Sequence, residues 1–308
     1  MPRKPAFTPK PPVEKLPLAV RKDLRDNYES KKGDYETEIA DVLGFPIAIN
    51  IDVNAVWAYA ETLSLSSEQA GRTFTGYIEG FINGIKTFVE KYGDLGKEYF
   101  QNAVTEGQLT VTVNELGDAA PTIDADVKDG VFRILFKDSR LGYNQSWLND
   151  SIGPAIDKAP HEGFGLFAQY SIKTSYEEEV EEVQEDIGKI LNMSDVVLDP
   201  NFEDNYAILL AKKEDTEWQK NFGEVTLLYF KNLKDQLTSQ GFDQDDMLQE
   251  GLAETLTSKT FKIRVVEKTK SGNTIETVLE DGTCFIQTFP ARWYYNLSNS
   301  GAGLVDML

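Results

Sequence analysis

The feature that most constrains the fold of this chain is an internal repeat. The segment DGVFRILFKDSRLGYN at residues 129–144 recurs 152 positions later as DGTCFIQTFPARWYYN, with Asp, Gly, Ile, Arg, Tyr and Asn in register. The similarity continues without a gap over residues 73–148 and 225–300. Because self-similarity at a long period is typical of duplicated structural units, we expect two like units in tandem.

Upstream of this segment the repeat continues at a different spacing. Tyr28 and Leu43 align with Tyr176 and Leu191 at a spacing of 148 positions, so the copies differ by four residues between about residues 54 and 73. The predicted organisation is a basic Pro-rich arm, a first unit, a linker, a second unit and a tail. Their bounds are 1–27, 28–148, 149–175, 176–300 and 301–308.

Each unit is predicted to have an α+β fold: a helix, a short strand, two or three helices and then three consecutive strands. Asp129-Gly130 and Asp281-Gly282 separate the last two strands of each unit, and Asp-Gly is typical of two-residue type I′ hairpin turns. We therefore expect the closing strands of each unit to form a three-stranded antiparallel meander. The predicted strands are 108–115, 121–128, 131–137, 260–267, 273–280 and 283–289.

The charge of the chain limits its partners. The formal net charge is −20, which disfavours contact with the phosphates of nucleic acids and with anionic lipid surfaces. We therefore expect neither nucleic acid nor membrane binding. The acidic surplus is explained most simply as a contribution to solubility.

One cysteine and one histidine restrict the chemistry. Cys284 alone can form no intramolecular disulfide, which fits the cytoplasm, and His161 alone excludes a His-rich zinc site. Cys284 aligns with Phe132 of the first copy, so we expect its thiol to fill core space rather than to act as a nucleophile with His161. The sequence predicts a soluble cytoplasmic protein without metal or cofactor.

Two segments resemble ligand-binding loops only superficially. The acids of residues 124–130, DADVKDG, suggest a calcium loop, but Asp129 and Leu135 stand where such a loop needs Gly and Glu. In residues 93–99, GDLGKEY, the two glycines are too close together for a phosphate-binding loop, and no Ser or Thr follows the lysine. Neither segment therefore predicts a ligand.

An Arg-x-x-Tyr-Asn motif follows the last strand of each predicted unit. It comprises Arg140, Tyr143 and Asn144 in the first unit and Arg292, Tyr295 and Asn296 in the second. The guanidinium, phenol and amide groups are suited to a carboxylate or phosphate, yet they are equally suited to a structural corner at the exit from the sheet. Trp293 and Tyr294 make the second copy the better candidate for contact with a ligand or partner.

Three glycines recur every four residues in GYIEGFING. Gly76, Gly80 and Gly84 would form a bare stripe along one side of a predicted helix, and the second copy has Leu228, Asn232 and Gln236 there. Because glycine destabilises a helix interior, close approach of another backbone is the expected compensation. The expected partner of this close-packing interface is the second unit; self-association or a small-ligand cleft is the alternative.

The N-terminal arm is opposite in charge to the rest of the chain. Residues 1–32 carry nine basic and four acidic residues, and five prolines lie between residues 2 and 12. Prolines at this density favour extended polyproline II structure. The arm is therefore expected to lie across its own acidic body, to reach a neighbouring subunit, or to form a disordered tail.

These observations predict a non-catalytic binding or assembly protein that associates with itself or with another protein. The alternative is a small-molecule binder or enzyme with a pocket between the units or beside the Arg-x-x-Tyr-Asn motif of the second unit. A small anionic ligand would fit that alternative. With one cysteine and one histidine, any catalysis would depend on Arg, Tyr, Asn and carboxylate side chains. Because this set is small for a catalyst, the binding function is favoured.

Overall fold

The structure is a computed structural model that describes residues 7–60, 69–213 and 215–308. The chain divides into two compact units, Met1–Glu162 and Gly163–Leu308. Within the described residues, each unit combines helices with a four-stranded mixed sheet. The predicted α+β fold is therefore confirmed in outline, whereas the predicted arrangement of the strands is wrong.

Unit 1 is built around one long helix. This helix, α4, changes direction at Gly93, whose φ of 56° and ψ of −140° are not helical. The helices are α1 Leu18–Asn27, α2 Lys32–Leu43, α3 Val53–Trp57, α4 Ala70–Ala103 and α5 Asn149–Asp157. The strands are β1 Ala48–Ile49, β2 Gln108–Val113, β3 Ile123–Lys128 and β4 Val131–Phe136.

The sheet of unit 1 has the strand order β1-β2-β4-β3. Strands β1, β2 and β4 are parallel, and β3 runs antiparallel to β4. An antiparallel meander would have placed β3 beside β2. Instead, the connection at residues 114–122 carries the chain past the position of β4, which then returns between β2 and β3.

Unit 2 has corresponding elements. Its helices are α6 Leu166–Ser171, α7 Val180–Leu191, α8 Phe202–Lys212, α9 Phe222–Ser239 and α10 Asp246–Thr255. Its strands are β5 Val197–Asp199, β6 Thr260–Val265, β7 Glu276–Glu280 and β8 Thr283–Thr288. The strand order β5-β6-β8-β7 places a parallel β8 between β6 and β7, so the meander expected here is wrong for the same reason.

Both predicted hairpin turns are confirmed by their backbone angles. Asp129 and Gly130 have φ values of 52° and 73°, and Asp281 and Gly282 have 47° and 74°. A type I′ turn requires positive φ at both central positions, which Asp and Gly adopt more readily than most residues. The turns join β3 to β4 and β7 to β8.

The core of each unit lies between the inner face of its sheet and its helices. Strand β4 directs Phe132, Ile134 and Phe136 inward, and β8 directs Cys284 and Ile286 inward, all fully buried. Their alternation with more exposed residues follows the two-residue period of a strand. Phe81 of α4 packs on Phe132 with 5.1 Å between the ring centroids.

The structure differs from the expected linker at residues 149–175. Helix α5 occupies residues 149–157, and Ile152 and Ile156 bury their side chains in unit 1 in spite of Gly153 and Pro154. Helix α6 occupies part of the segment FGLFAQYSI, whose apolar residues are equally compatible with a strand. A short apolar run fits either period, so the sequence alone does not distinguish the two.

The expected N-terminal arm also differs from the structure in part. Residues 1–6 lie outside the described residues, as does much of the region of the four-residue length difference, 61–68. Helix α1 occupies residues 18–27 and buries Val20 and Leu24. Among the helices of the described residues, none has the length and apolar character that a membrane crossing requires.

Candidate functional site

The Arg-x-x-Tyr-Asn motif of unit 1 forms a compact turn after β4. The backbone N–H of Tyr143 donates to the carbonyl of Arg140 at 3.1 Å, and the Arg140 guanidinium lies 5.3 Å from the centroid of the Tyr143 ring. Asn144 has a φ of 55° and a ψ of 29°. Asn tolerates this left-handed conformation better than most residues, which gives it a structural role here.

The motif of unit 2 repeats this geometry. The N–H of Tyr295 donates to the carbonyl of Arg292 at 3.0 Å, and the Arg292 guanidinium lies 5.1 Å from the Tyr295 ring centroid. Asn296 has a φ of 56° and a ψ of 37°. In both copies, therefore, the Arg side chain lies against the Tyr ring, and Asn supplies the left-handed residue of the turn.

A buried tyrosine of the long helix holds each turn against its unit. The Tyr77 hydroxyl accepts a hydrogen bond of 2.8 Å from the N–H of Gly142, and the Tyr229 hydroxyl donates to the carbonyl of Trp293. Both tyrosines are fully buried, and burial raises the pKa of each phenol above its ordinary value. These contacts join the exit from the sheet to the middle of a helix in both units.

The glycine stripe packs against a segment of its own unit. A Cβ on Gly76 would overlap the side-chain amide of Gln145, and a Cβ on Gly80 would overlap the Gln145 carbonyl. A Cβ on Gly84 would lie 2.5 Å from Cδ1 of Ile152. The glycines are therefore closely approached, as predicted, but by residues 145–152 of unit 1. The sequence had indicated the second unit for this contact.

Unit 2 contains a groove beside its Arg-x-x-Tyr-Asn motif. The groove has a volume of about 300 Å³, and two buried indoles and an exposed phenol, Trp218, Trp293 and Tyr294, contribute to its wall. Its lining also includes three exposed carboxylate residues, Asp215, Glu217 and Glu224. The described lining contains no Lys or Arg. We call these residues the acidic aromatic groove.

The edge of the acidic aromatic groove already accommodates a cation. Nζ of Lys213 lies 5.2 Å from the centroid of the Tyr294 ring and 4.0 Å from Oδ2 of Asp215. The Tyr294 and Tyr295 rings stack with 4.8 Å between their centroids. A hydrogen bond to Tyr295, that residue's charge, desolvation and nearby Asp215 together raise the pKa of the Tyr294 phenol. The contact with Lys213 shows that the exposed Tyr294 ring is placed for cation–π interaction.

Two groups of the groove have no hydrogen-bond or ion-pair partner among the described residues. Nε1 of Trp293 is buried and has no hydrogen-bond partner among the described residues. The Glu224 carboxylate makes no ion pair within them, whereas Glu217 is paired with Lys220 at 2.8 Å. The groove is therefore suited to a group that carries positive charge together with a hydrogen-bond acceptor.

The sequence singled out Trp293 and Tyr294 but missed the rest of this groove. Trp218 and Asp215 lie some 75 residues before the motif, in a segment without a clear helical or strand period. Trp293 and Tyr294 stand where the first copy has Leu141 and Gly142. That difference between the copies was the available signal for a site in unit 2.

The candidate nucleophile is unsuited to catalysis. Cys284 is fully buried, and burial raises the pKa of its thiol to about 12. Nδ1 of His161 donates to the carbonyl of Ala159 at 2.8 Å, in a cavity of about 550 Å³ that Tyr99 and Glu98 also line. In the described part of the chain, no group of three His, Cys, Asp or Glu side chains is arranged to hold a metal ion.

The chain matches no protein-family model, no curated protein and no solved structure.

Proposed function

We propose that this is a non-catalytic binding protein, built by internal duplication of one α+β unit, whose acidic aromatic groove binds a basic segment of a partner protein. The observation that carries this proposal is the combination of Trp218, Trp293 and Tyr294 with three carboxylates in one groove. Aromatic faces and carboxylates together favour Lys or Arg side chains. A peptide carbonyl of the same segment could accept a hydrogen bond from Trp293.

The duplication is supported by contacts that recur outside the sheets. The N–H of Gly71 donates to Oδ2 of Asp23 at 2.6 Å, and the N–H of Gly223 donates to Oγ of Ser171 at 2.9 Å. A Cβ on either glycine would overlap the carbonyl oxygen of the same Asp or Ser. One packing arrangement therefore begins the long helix in both units, and it extends the similarity upstream of residue 28.

The net charge supports a basic partner. With a formal charge of −20, the protein attracts cationic segments at long range, and the three carboxylates would direct such a segment into the groove. The exposed ring of Tyr294, which lies beside the two buried indoles, would then contribute at contact distance.

The other two surfaces considered for assembly are engaged within unit 1. The glycine stripe is covered by residues 145–152. The described part of the arm lies on its own unit, because Val13 donates to the carbonyl of Asn54 at 3.2 Å and Lys10 pairs with Asp138 at 3.0 Å. The acidic aromatic groove is therefore the surface that we assign to the partner.

The proposal is tested by calorimetric titration of the full chain with a tetralysine peptide. The double variant D215N/E224Q should bind at least about tenfold more weakly than the wild type, since each lost charge pair in a partly desolvated site is worth about 1 kcal/mol. The matched control is E182Q/D235N, which removes two exposed carboxylates of unit 2 outside the groove. It should change the affinity less than about threefold.

The aromatic contribution is tested separately. Y294L should weaken binding of tetralysine, whereas Y143L, at an exposed tyrosine of unit 1, should not. Equal weakening by D215N/E224Q and E182Q/D235N would mean that only overall charge matters, and equal affinity of Y294L and Y143L would mean that the aromatic ring contributes nothing. Either result would contradict the proposal. Native mass spectrometry of the purified protein distinguishes a second copy of the chain from another protein as the natural partner.

A further inference from the structure

Unit 1 contains a cavity that the proposed binding function does not use. It has a volume of about 410 Å³ and is lined by β3, β4, the connection after β2, and α5 with the residues that follow it. Helix α5 packs against both α4 and β3. Apolar side chains contribute Ala125, Leu135, Ala155 and Ala159 to the lining, all of them buried. A cavity of this size suits a small metabolite.

The cavity lining includes a buried amide whose NH2 group has no hydrogen-bond partner among the described residues. Asn114 is only 2% exposed, and its Oδ1 accepts a hydrogen bond of 3.0 Å from the N–H of Leu116. This contact fixes the orientation of the amide. Nδ2 has no hydrogen-bond partner within residues 7–60, 69–213 and 215–308. A buried donor without a partner is destabilising, so a ligand that accepts from it would be favoured.

The charged groups of the lining are mostly paired with one another. Asp126 accepts from Nε and Nη2 of Arg133 at 2.7 and 2.6 Å, and Glu115 lies 3.6 Å from Nη1 of Arg133. Two charged residues remain without an ion pair among the described residues. They are Lys158, and Asp124, whose Oδ1 accepts from the N–H of Ala125 at 2.9 Å.

We infer that this cavity binds a small α-amino acid in its zwitterionic form. Its carboxylate would accept from Nδ2 of Asn114 and meet the ammonium group of Lys158, while its own ammonium group would meet Asp124. The apolar lining would contact an aliphatic side chain. A phosphate is disfavoured by the three carboxylates of the lining, and a simple amine would leave the Asn114 donor unsatisfied.

The site belongs to unit 1 alone. The residues 152 positions after Asn114, Asp126 and Arg133 are Val266, Val278 and Phe285, which cannot supply the amide donor or the ion pair. The inference is therefore independent of the duplication and of the acidic aromatic groove.

The test is isothermal titration of the full chain with each of the free proteinogenic amino acids. Valine and its two singly charged analogues then form a matched set, because isobutylamine lacks the carboxylate and 3-methylbutanoate lacks the ammonium group. An aliphatic amino acid should give saturable binding, and the corresponding analogues should bind at least about tenfold more weakly. Equal affinity for an analogue, or no saturable binding of any amino acid, would overturn the inference.

A nearly isosteric variant locates the site. N114D keeps the acceptor for Leu116 but replaces the unused donor with an oxygen, so amino acid binding should fall at least about tenfold. N299D makes the same change at an exposed position and should leave it unchanged. If N114D does not fold, the exposed Lys158 provides a second variant, K158Q, which should also weaken amino acid binding. Unchanged binding by K158Q would then count against the inference. D215N/E224Q should bind amino acids normally.

Discussion

The hydroxyl of Tyr77 accepts a hydrogen bond of 2.8 Å from the backbone N–H of Gly142, which ties the middle of α4 to the turn after β4. Tyr229 makes the equivalent connection to the carbonyl of Trp293. The phenol acts as an acceptor in one unit and as a donor in the other, so the position of the hydroxyl is retained while the direction of the hydrogen bond is not. Anchoring the turn is therefore the role common to both tyrosines.

Removing either hydroxyl should destabilise the protein. Y77F leaves the half-buried N–H of Gly142 without its partner, and Y229F does the same to the buried carbonyl of Trp293. We expect the free energy of unfolding to fall by about 1–2 kcal/mol in each variant. Urea denaturation followed by circular dichroism measures this change. Y143F, at an exposed tyrosine of the same turn, should stay within about 0.5 kcal/mol of the wild type. A loss of similar size in Y143F would contradict the anchoring role.

Gly to Ala changes inside and outside the glycine stripe should have opposite effects on stability. A Cβ on Gly80 overlaps the carbonyl of Gln145, so G80A should destabilise unit 1 by about 1–3 kcal/mol. Gly33 lies in α2 with nothing within 4 Å of an added Cβ, so G33A should be neutral or stabilise by up to about 1 kcal/mol. Thermal unfolding of the two variants compares these effects directly, and a neutral G80A would show that residues 145–152 can move aside.

The thiol of Cys284 should be inert in the folded protein. Because burial raises its pKa to about 12, the reactive thiolate is scarce at pH 8 and inaccessible to reagents. Labelling with Ellman's reagent should be at least about a hundredfold slower than in guanidinium chloride, where one equivalent reacts. S146C, at an exposed position of unit 1, adds a second thiol that should react at once. Rapid labelling of the wild type would show that unit 2 opens readily.

A charge network on the outer face of the second sheet predicts acid sensitivity. Nη2 of Arg264 lies 2.9 Å from Oε2 of Glu280; this hydrogen bond, with a smaller contribution from Lys270, lowers the pKa of the Glu280 carboxyl. Since the folded pKa lies below the unfolded value, the stabilisation is complete above about pH 5 and is lost as the pH falls through the folded pKa.

The contribution of Glu280 is expected to be less than about 1 kcal/mol, because the pair is partly exposed to solvent. E280Q should remove this contribution at pH 7 and reduce the dependence of the unfolding free energy on pH below about pH 5. E267Q, at an exposed carboxylate without an ion pair in the described residues, should leave the pH dependence unchanged. Equal behaviour of the two variants would exclude a specific role for the Arg264 pair.

The alternation of apolar residues in the sequence predicted most of the strands but not their order in the sheet. Leu109, Val111 and Val113 alternate as expected, and β2 occupies residues 108–113. The same alternation suits a strand beside either β3 or β4, since all three direct apolar residues to one core. The order therefore depends on the path of residues 114–122, for which no local pattern is informative.

The candidate site was predictable only in part for a similar reason. Asn144 and Asn296 recur because each turn needs a left-handed residue, and that requirement is local. The acidic aromatic groove instead brings together Trp218 and Trp293, whose proximity is created by packing on α9. That Nδ2 of Asn114 has no hydrogen-bond partner among the described residues becomes apparent only when the burial and the contacts of this side chain are known.

The strand orders have a consequence for synthesis on the ribosome. In each unit the strand that is translated last, β4 or β8, occupies an inner position and contributes to two of the three strand pairings. Before this strand is synthesised, the nascent chain contains β2 and β3, or β6 and β7, but lacks the strand that lies between them in the folded sheet. Each sheet should therefore form late and nearly all at once, when its final strand leaves the exit tunnel.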